Sequence, residues 1–167
     1  MSATGSRTTT AIQENSATDM INSIRIEKIT KKDAPSVAKI EKECFSTPFS
    51  EADILGYIDN PIWGFFVAKI DESIVGYVSF TQIIDECQIV NVATTPSARK
   101  MGVGKSLIGA LLSYANENGC KKLFLEVRES NLPAISLYRK FGFIPVGISK
   151  NHYSQPTENA VLMNLEI

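Results

Sequence analysis

Residues 99–105, Arg99-Lys100-Met101-Gly102-Val103-Gly104-Lys105, place two glycines among three cationic side chains. Glycine has no Cβ, so a ligand can approach the backbone closely there. The run follows a β-rich segment and opens an apolar-periodic one, the position of a helix N-terminus. Such a terminus carries unpaired N–H groups and a partial positive charge. With Arg99, Lys100 and Lys105 added, the combination suits a pyrophosphate. It is not a Walker A loop: Gly104-Lys105-Ser106 matches the end of one, but Arg99 stands where the leading glycine is needed. Nor is it Gly-x-Gly-x-x-Gly, because Leu107 fills the last position. A glycine turn before a helix, with incidental basic residues, would read the same way. The loop alone therefore names an anion but no reaction.

Other reactive side chains are sparse. The three cysteines, Cys44, Cys87 and Cys120, are far apart, and His152 is the single histidine. No Cys-x-x-Cys or His-x-x-x-His spacing exists, so no metal site is expected. The odd cysteine count does not fit a disulfide framework. Three reduced thiols in or near a core are the expectation, in a cytoplasmic protein.

The elements that must hold the loop can be read from hydrophobic period. Ser23 to Ile29 alternates apolar and polar residues, as a half-buried strand does. Thr30 to Asp33 and Ser50 to Asp53 carry helix-capping signals. Val37, Ile40, Cys44 and Phe45 share one helical face, and Ile54, Leu55, Tyr57 and Ile58 build a second helix that stops before Asn60-Pro61. Gly64 to Ile70, Ile74 to Ile84 and Glu86 to Thr94 are strands, with a hairpin turn at Asp71-Glu72-Ser73. Gly102 to Asn118 is a strong amphipathic helix ended by Gly119. Lys122 to Arg128 is a strand whose residues Leu123, Leu125 and Val127 oppose Phe124, Glu126 and Arg128. Asn131 caps a helix that ends at Phe141-Gly142. Phe143 to Ile148 and Ala160 to Ile167 complete the order βαα-βββ-α-β-α-ββ. The fold class is α/β, a single domain built on a mixed sheet.

Composition sets outer limits. A chain of 167 residues suits one domain with a sizeable core, and 44% hydrophobic with 21% charged residues is ordinary for a soluble globular protein. The formal net charge of -1 gives no global attraction for nucleic acid or a membrane surface. No apolar run is long enough to span a bilayer. Residues 1–22 are rich in Ser and Thr and lack both the apolar core of a secretory signal and the arginines of a transit peptide. They read as a disordered tail ahead of a domain spanning 23–167.

Several motifs in order narrow the function. Asn91-Val92-Ala93-Thr94-Thr95-Pro96, then the Arg99 to Lys105 loop, then Leu125-Glu126-Val127-Arg128-Glu129-Ser130-Asn131, Ala134, Leu137-Tyr138 and Gly142-Phe143 resemble the GNAT superfamily of N-acetyltransferases. The resemblance runs from about Ile24 to the C-terminus. Within that superfamily the chain is similar to the bacterial ribosomal-protein-alanine N-acetyltransferases, the RimI type, including Asn151-His152-Tyr153, Glu158-Asn159-Ala160 and Met163. Pro48-Phe49-Ser50 resembles that group's Pro-Trp-Ser beside the substrate groove, with Phe49 in place of Trp. Asn159 stands where an Asp is common.

The resemblance implies acetyl-CoA as co-substrate and a central sheet splayed beside the Asn91 to Thr94 strand. It implies that Val92, Ala93 and Thr94 face the pantetheine arm through their backbone, and that Lys100, Met101, Gly102, Val103, Gly104 and Lys105 hold the pyrophosphate. It puts Asn131 near the cofactor, Glu126 in the role of general base, Tyr138 in that of general acid, and Phe49 and Tyr153 beside the peptide. The implied partner is the N-terminus of a protein, in particular the N-terminal alanine of small-subunit ribosomal protein eighteen. Read from local pattern alone, Glu126 is a solvated strand carboxylate, Tyr138 a packed helix residue, Asn131 an N-cap and Tyr153 a cover for the sheet edge. A GNAT enzyme for a small amine or an antibiotic, and a non-catalytic acyl-CoA-binding module, are the competing functions.

Overall fold

The computed structural model describes residues 23–167. The expected tail, residues 1–22, lies outside the described residues. The elements are β1 (Ile24–Lys28), α1 (Ala34–Cys44), α2 (Glu51–Ile58), β2 (Trp63–Ile70), β3 (Ser73–Ile83), β4 (Glu86–Thr94), α3 (Val103–Glu117), β5 (Lys122–Arg128), α4 (Leu132–Lys140), β6 (Ile144–Tyr153) and β7 (Glu158–Glu166). Both N-terminal capping signals are realised: Thr30 pairs with Asp33, and Ser50 Oγ accepts from Asp53 N at 3.0 Å. Gly102 leads into α3 at φ +84°, and Gly119 and Gly142 follow α3 and α4 at φ +72° and +94°. These are left-handed conformations that a side chain resists.

The strands form one seven-stranded sheet in the order β1-β2-β3-β4-β5-β7-β6. All neighbours are antiparallel except β4 and β5. That pair needs a crossover, and α3 supplies it. Period-two alternation then gives the sheet two apolar faces. Val78, Phe80, Ile89, Leu123 and Leu125 join Leu107 and Leu111 of α3 in one cluster, which also holds Tyr138 and Phe143. Phe65, Val67, Tyr77 and Ala93 join Val37 and Ile40 of α1 and Ile54 of α2 in the other. Each fully buried Leu or Ile stabilises the fold by about 1.5–3 kcal/mol.

Two irregularities shape the centre of the sheet. β4 bulges against β3: Ser79 pairs with Asn91 and Phe80 with Ile89, so Val90 is an extra residue. On the other side, β4 and β5 pair only from Glu86↔Lys122 to Ile89↔Leu125. Beyond Ile89 the two strands part. The expected splay is therefore present, and the bulge at Val90 falls just where parallel pairing stops.

The sequence reading ended the penultimate strand at Ile148, whereas β6 continues to Tyr153. Ser149-Lys150-Asn151-His152 is polar and weak in strand propensity, and its register shifts between Ser149 and Tyr153. The extension holds through pairing with β7, a tertiary contact that local pattern does not carry.

Candidate active site

The parting of β4 and β5 opens a cavity of about 390 Å³. Ile89, Val90, Asn91 and Val92 form one wall, and Glu126, Val127 and Arg128 form the other. Phe49, Asn131, Tyr138, His152 and Tyr153 complete the lining. Of the expected site residues, the cavity thus gathers Val92, Glu126, Asn131, Tyr138, Phe49 and Tyr153. It does not include Ala93, Thr94 or the 100–105 loop. The loop lies beyond it, at the start of α3, where a Cβ on Gly104 would sit 3.1 Å from Leu137 of α4.

Alternation along β5 explains why Glu126 and Tyr138 meet the cavity from different sides. Leu123, Leu125 and Val127 are buried in the cluster that contains Tyr138. Glu126 and Arg128 therefore project from the opposite face of the sheet. Glu126 is also the first β5 residue after the last pair with β4. A gap in the sheet at this point is what lets a carboxylate on one face and a phenol on the other share one cavity.

Tyr138 is 6% exposed and packs edge-on against Phe143 with ring centroids 5.8 Å apart. Burial first, then proximity to Tyr153, pushes its phenol well above the ordinary range. It keeps its proton at neutral pH, as a proton donor must. Burial also raises Tyr153, with Glu126 adding to the rise and Arg128 opposing it. The Arg128 guanidinium lies 4.4 Å over the Tyr153 ring, a cation–π contact. Its Nη1 also donates to Pro156 O at 3.1 Å and meets Glu158 Oε1 at 3.4 Å. Tyr153 is thus held against Arg128 in the cavity lining.

Asn131 Oδ1 accepts from Ala134 N at 3.3 Å, so it caps α4 as its sequence context predicts while also lining the cavity. Phe49 stands edge-on to Tyr57 at 5.2 Å and to Trp63 at 6.2 Å, an aromatic group that fixes the 45–49 loop at the groove rim. Two of the three thiols are held as thiols by burial: Cys87 is pushed up to about 12, and burial raises Cys120 as well, while Cys44 is partly exposed and lines the cavity. Among the described residues no group of His, Cys, Asp and Glu is arranged to hold a metal. None of their helices is long and apolar enough to cross a membrane.

Sequence reading passed over two residues. Glu41 is fully buried, and it accepts from Tyr77 Oη, from Asn91 Nδ2 at 2.9 Å and from Phe49 N at 2.9 Å. A signal existed: Glu41 falls on the same helical face as Val37, Ile40, Cys44 and Phe45, where an acid is out of place. His152 was read only as part of a motif. Its Nε2 lies 2.7 Å from Glu126 Oε2. That contact joins β6 to β5 and has no local signature.

The parted strands and the glycine-opened helix suit acetyl-CoA on observations of this molecule. Backbone along β4 past Ile89 is released from β5, as an extended arm would require. The first-turn N–H groups of α3, with Lys100 and Lys105 beside them, can meet phosphates.

Comparison with known proteins points the same way. The model of the acetyltransferase (GNAT) family matches residues 34–143. The putative ribosomal protein bS18-alanine N-acetyltransferase of Bacillus subtilis is 32% identical over 139 residues, 83% of this chain and 92% of the relative. The ribosomal protein bS18-alanine N-acetyltransferase of Haemophilus influenzae is 35% identical over 143 residues, 83% of this chain and 95% of the relative. The crystal structure of the ribosomal-protein-S18-alanine N-acetyltransferase from Escherichia coli superposes with a TM-score of 0.80 at 27% identity, covering 86% of this chain and 94% of that one. With its sheet parted at the bulged strand and its glycine loop opening α3, the chain belongs to the GNAT family and is an acetyl-CoA-dependent N-acetyltransferase.

Proposed function

We propose that this enzyme acetylates the N-terminal α-amino group of a protein, namely the N-terminal alanine of small-subunit ribosomal protein eighteen, in the cytoplasm. The observation that carries the reading is the single cavity at the sheet gap, where Glu126 and Tyr138 enter from opposite faces. The two matched relatives named for this substrate support it.

The chemistry divides between the two faces. Acetyl-CoA supplies the acetyl group as a thioester, held by the β4 backbone from Val92 to Thr94 and by the loop from Lys100 to Lys105. The substrate enters past Phe49 and Tyr153. An ammonium has no lone pair, so Glu126 takes one proton from the amine, directly or through a water. The amine nitrogen then bonds to the thioester carbon. A backbone N–H at the bulge of β4 meets the oxygen on which charge develops. As the carbon–sulfur bond breaks, Tyr138 gives its proton to the sulfur. The bonded nitrogen sheds its second proton as the amide forms, which balances the proton that Tyr138 gave to sulfur. The proton on Glu126 is lost to solvent, so the enzyme returns to its starting state. No covalent enzyme intermediate forms.

The substrate's own acidity favours an α-amine. Its pKa is about 7.7, against about 10.4 for a lysine side chain, so freeing the lysine amine at neutral pH costs about 3.7 kcal/mol more. The test is an Ala-initiated peptide containing one internal lysine, incubated with enzyme and acetyl-CoA beside polyamines and aminoglycosides. Fragment mass spectra should place the acetyl group on the N-terminus, and blocking that terminus should abolish most of the reaction. Acetylation mainly on lysine, or turnover of small amines with none of peptides, would overturn the reading.

A further inference from the structure

We propose that His152 is a positioning residue for Glu126: its Nε2–H holds Oε2 of the carboxylate and leaves Oε1 turned to the substrate amine. The proposal rests on the reading of Glu126 as general base.

A glutamate on a strand rotates freely about its last torsion, a broad and shallow well. Glu126 is 37% exposed at its side chain, so packing alone does not fix the carboxylate plane. A donor at 2.7 Å does. The imidazole is itself held at two further points. A carboxylate only accepts, so Nε2 carries the ring proton that faces Glu126, and Nδ1 can accept from the Ser149 hydroxyl, whose Oγ lies 3.3 Å away. The ring stands edge-on to Tyr153 with centroids 4.8 Å apart. Tyr153 is in turn pinned beneath Arg128.

The backbone that carries His152 is shaped for the purpose. β6 slips its register between Ser149 and Tyr153, and Asn151 sits at φ +51°. Bulges of this kind re-aim side chains, and asparagine tolerates the left-handed region better than most residues. Asn151 N donates to Asn159 Oδ1 at 3.0 Å, and Asn159 Nδ2 donates to Glu129 Oε2 at 3.3 Å. An aspartate at 159 could accept the first bond but would face Glu129 with a like charge. Asn159 therefore fits this chain's own bulge, and the bulge delivers His152 to Glu126.

A double-mutant cycle tests the proposal. His152 is exposed on the edge strand, so His152→Phe keeps a ring against Tyr153 and should leave the melting temperature nearly unchanged. It should lower kcat about tenfold or more, through loss of orientation, with KM for acetyl-CoA unchanged. Glu126→Gln should lower kcat about 10²-fold. The double variant should be no slower than Glu126→Gln alone, because His152 acts only through the carboxylate. His152→Gln, which keeps a donor, should recover most of the loss. Losses that multiply in the double variant, or His152→Phe at parental kcat, would overturn the positioning role while leaving the base intact. Parental turnover in Glu126→Gln would overturn the base reading itself, and this proposal with it.

Discussion

Glu41 accepts a hydrogen bond from the Asn91 side chain across 2.9 Å, and the pair joins α1 to the bulge of β4 from inside the protein. The other oxygen of Glu41 accepts from the backbone of Phe49. One buried carboxylate therefore ties the strand that walls the cavity to the loop at its rim. Its donors, from Tyr77, Asn91 and Phe49, satisfy the lone pairs that burial would otherwise strand. No cation pairs with Glu41 in any ion pair among the described residues. Its charge is held by dipoles alone, which fixes geometry at a cost in stability.

That cost has a sign that can be measured. Burial raises the Glu41 carboxyl above its ordinary value, and the bonds from Phe49 and Asn91 only partly offset this. The folded state thus binds the proton more tightly than the unfolded state. Stability contributed by this group is fully present below the ordinary carboxyl value, about 4.3, and is lost as pH rises through the higher folded value. Glu41→Gln cannot ionise, so its stability relative to the parent should improve as pH rises from 4 to 8. Denaturant titrations of both proteins across that range check this. A relative stability that falls with pH would mean that the three donors outweigh burial.

Much of this architecture was legible. The capping residues Thr30, Ser50 and Asn131, the glycines after α3 and α4, and the alternation along β5 each rest on neighbours within a few residues. The motif order also singled out Glu126 and Tyr138, which line one cavity, and the loop from Lys100 to Lys105, which lies beyond it. What escaped was long-range. Glu41 meets Asn91 fifty positions away, and Glu126 meets His152 across two strands that are not neighbours in the sheet order. The His152 contact also depends on a register slip, which shifts the side chains that follow and leaves no periodic trace.

The glycine loop can be tested with packing and charge kept apart. A Cβ at position 104 would press on Leu137 Cδ2 at 3.1 Å, so Gly104→Ala requires the end of the Leu137 side chain to give slightly. That variant measures the steric effect alone. Gly104→Asp adds a negative charge at the helix N-terminus, where the pyrophosphate is to bind. Calorimetry should show acetyl-CoA binding at least tenfold weaker in the Asp variant than in the Ala variant, with both folded. Equal affinities in the two would remove the phosphate-holding role from the loop.

Tyr138 offers the sharpest separation of packing from chemistry. Tyr138→Phe keeps the edge-on contact with Phe143 and the helix face that buries it. Only the hydroxyl is lost. If that hydroxyl protonates the leaving sulfur, kcat should fall by about 10²-fold, the scale of losing a general acid, while the melting temperature holds or rises. The parent enzyme adds a second readout. Because burial raises the phenol, the hydroxyl stays protonated past the pH at which an exposed tyrosine ionises, about 10. Titration of Tyr138 should therefore cause no loss of kcat between pH 8 and 10. A Phe variant with parental kcat would return Tyr138 to a purely structural role. An alkaline fall in the parent that disappears in the Phe variant would show instead that the phenol ionises within that range, and that burial does not protect it.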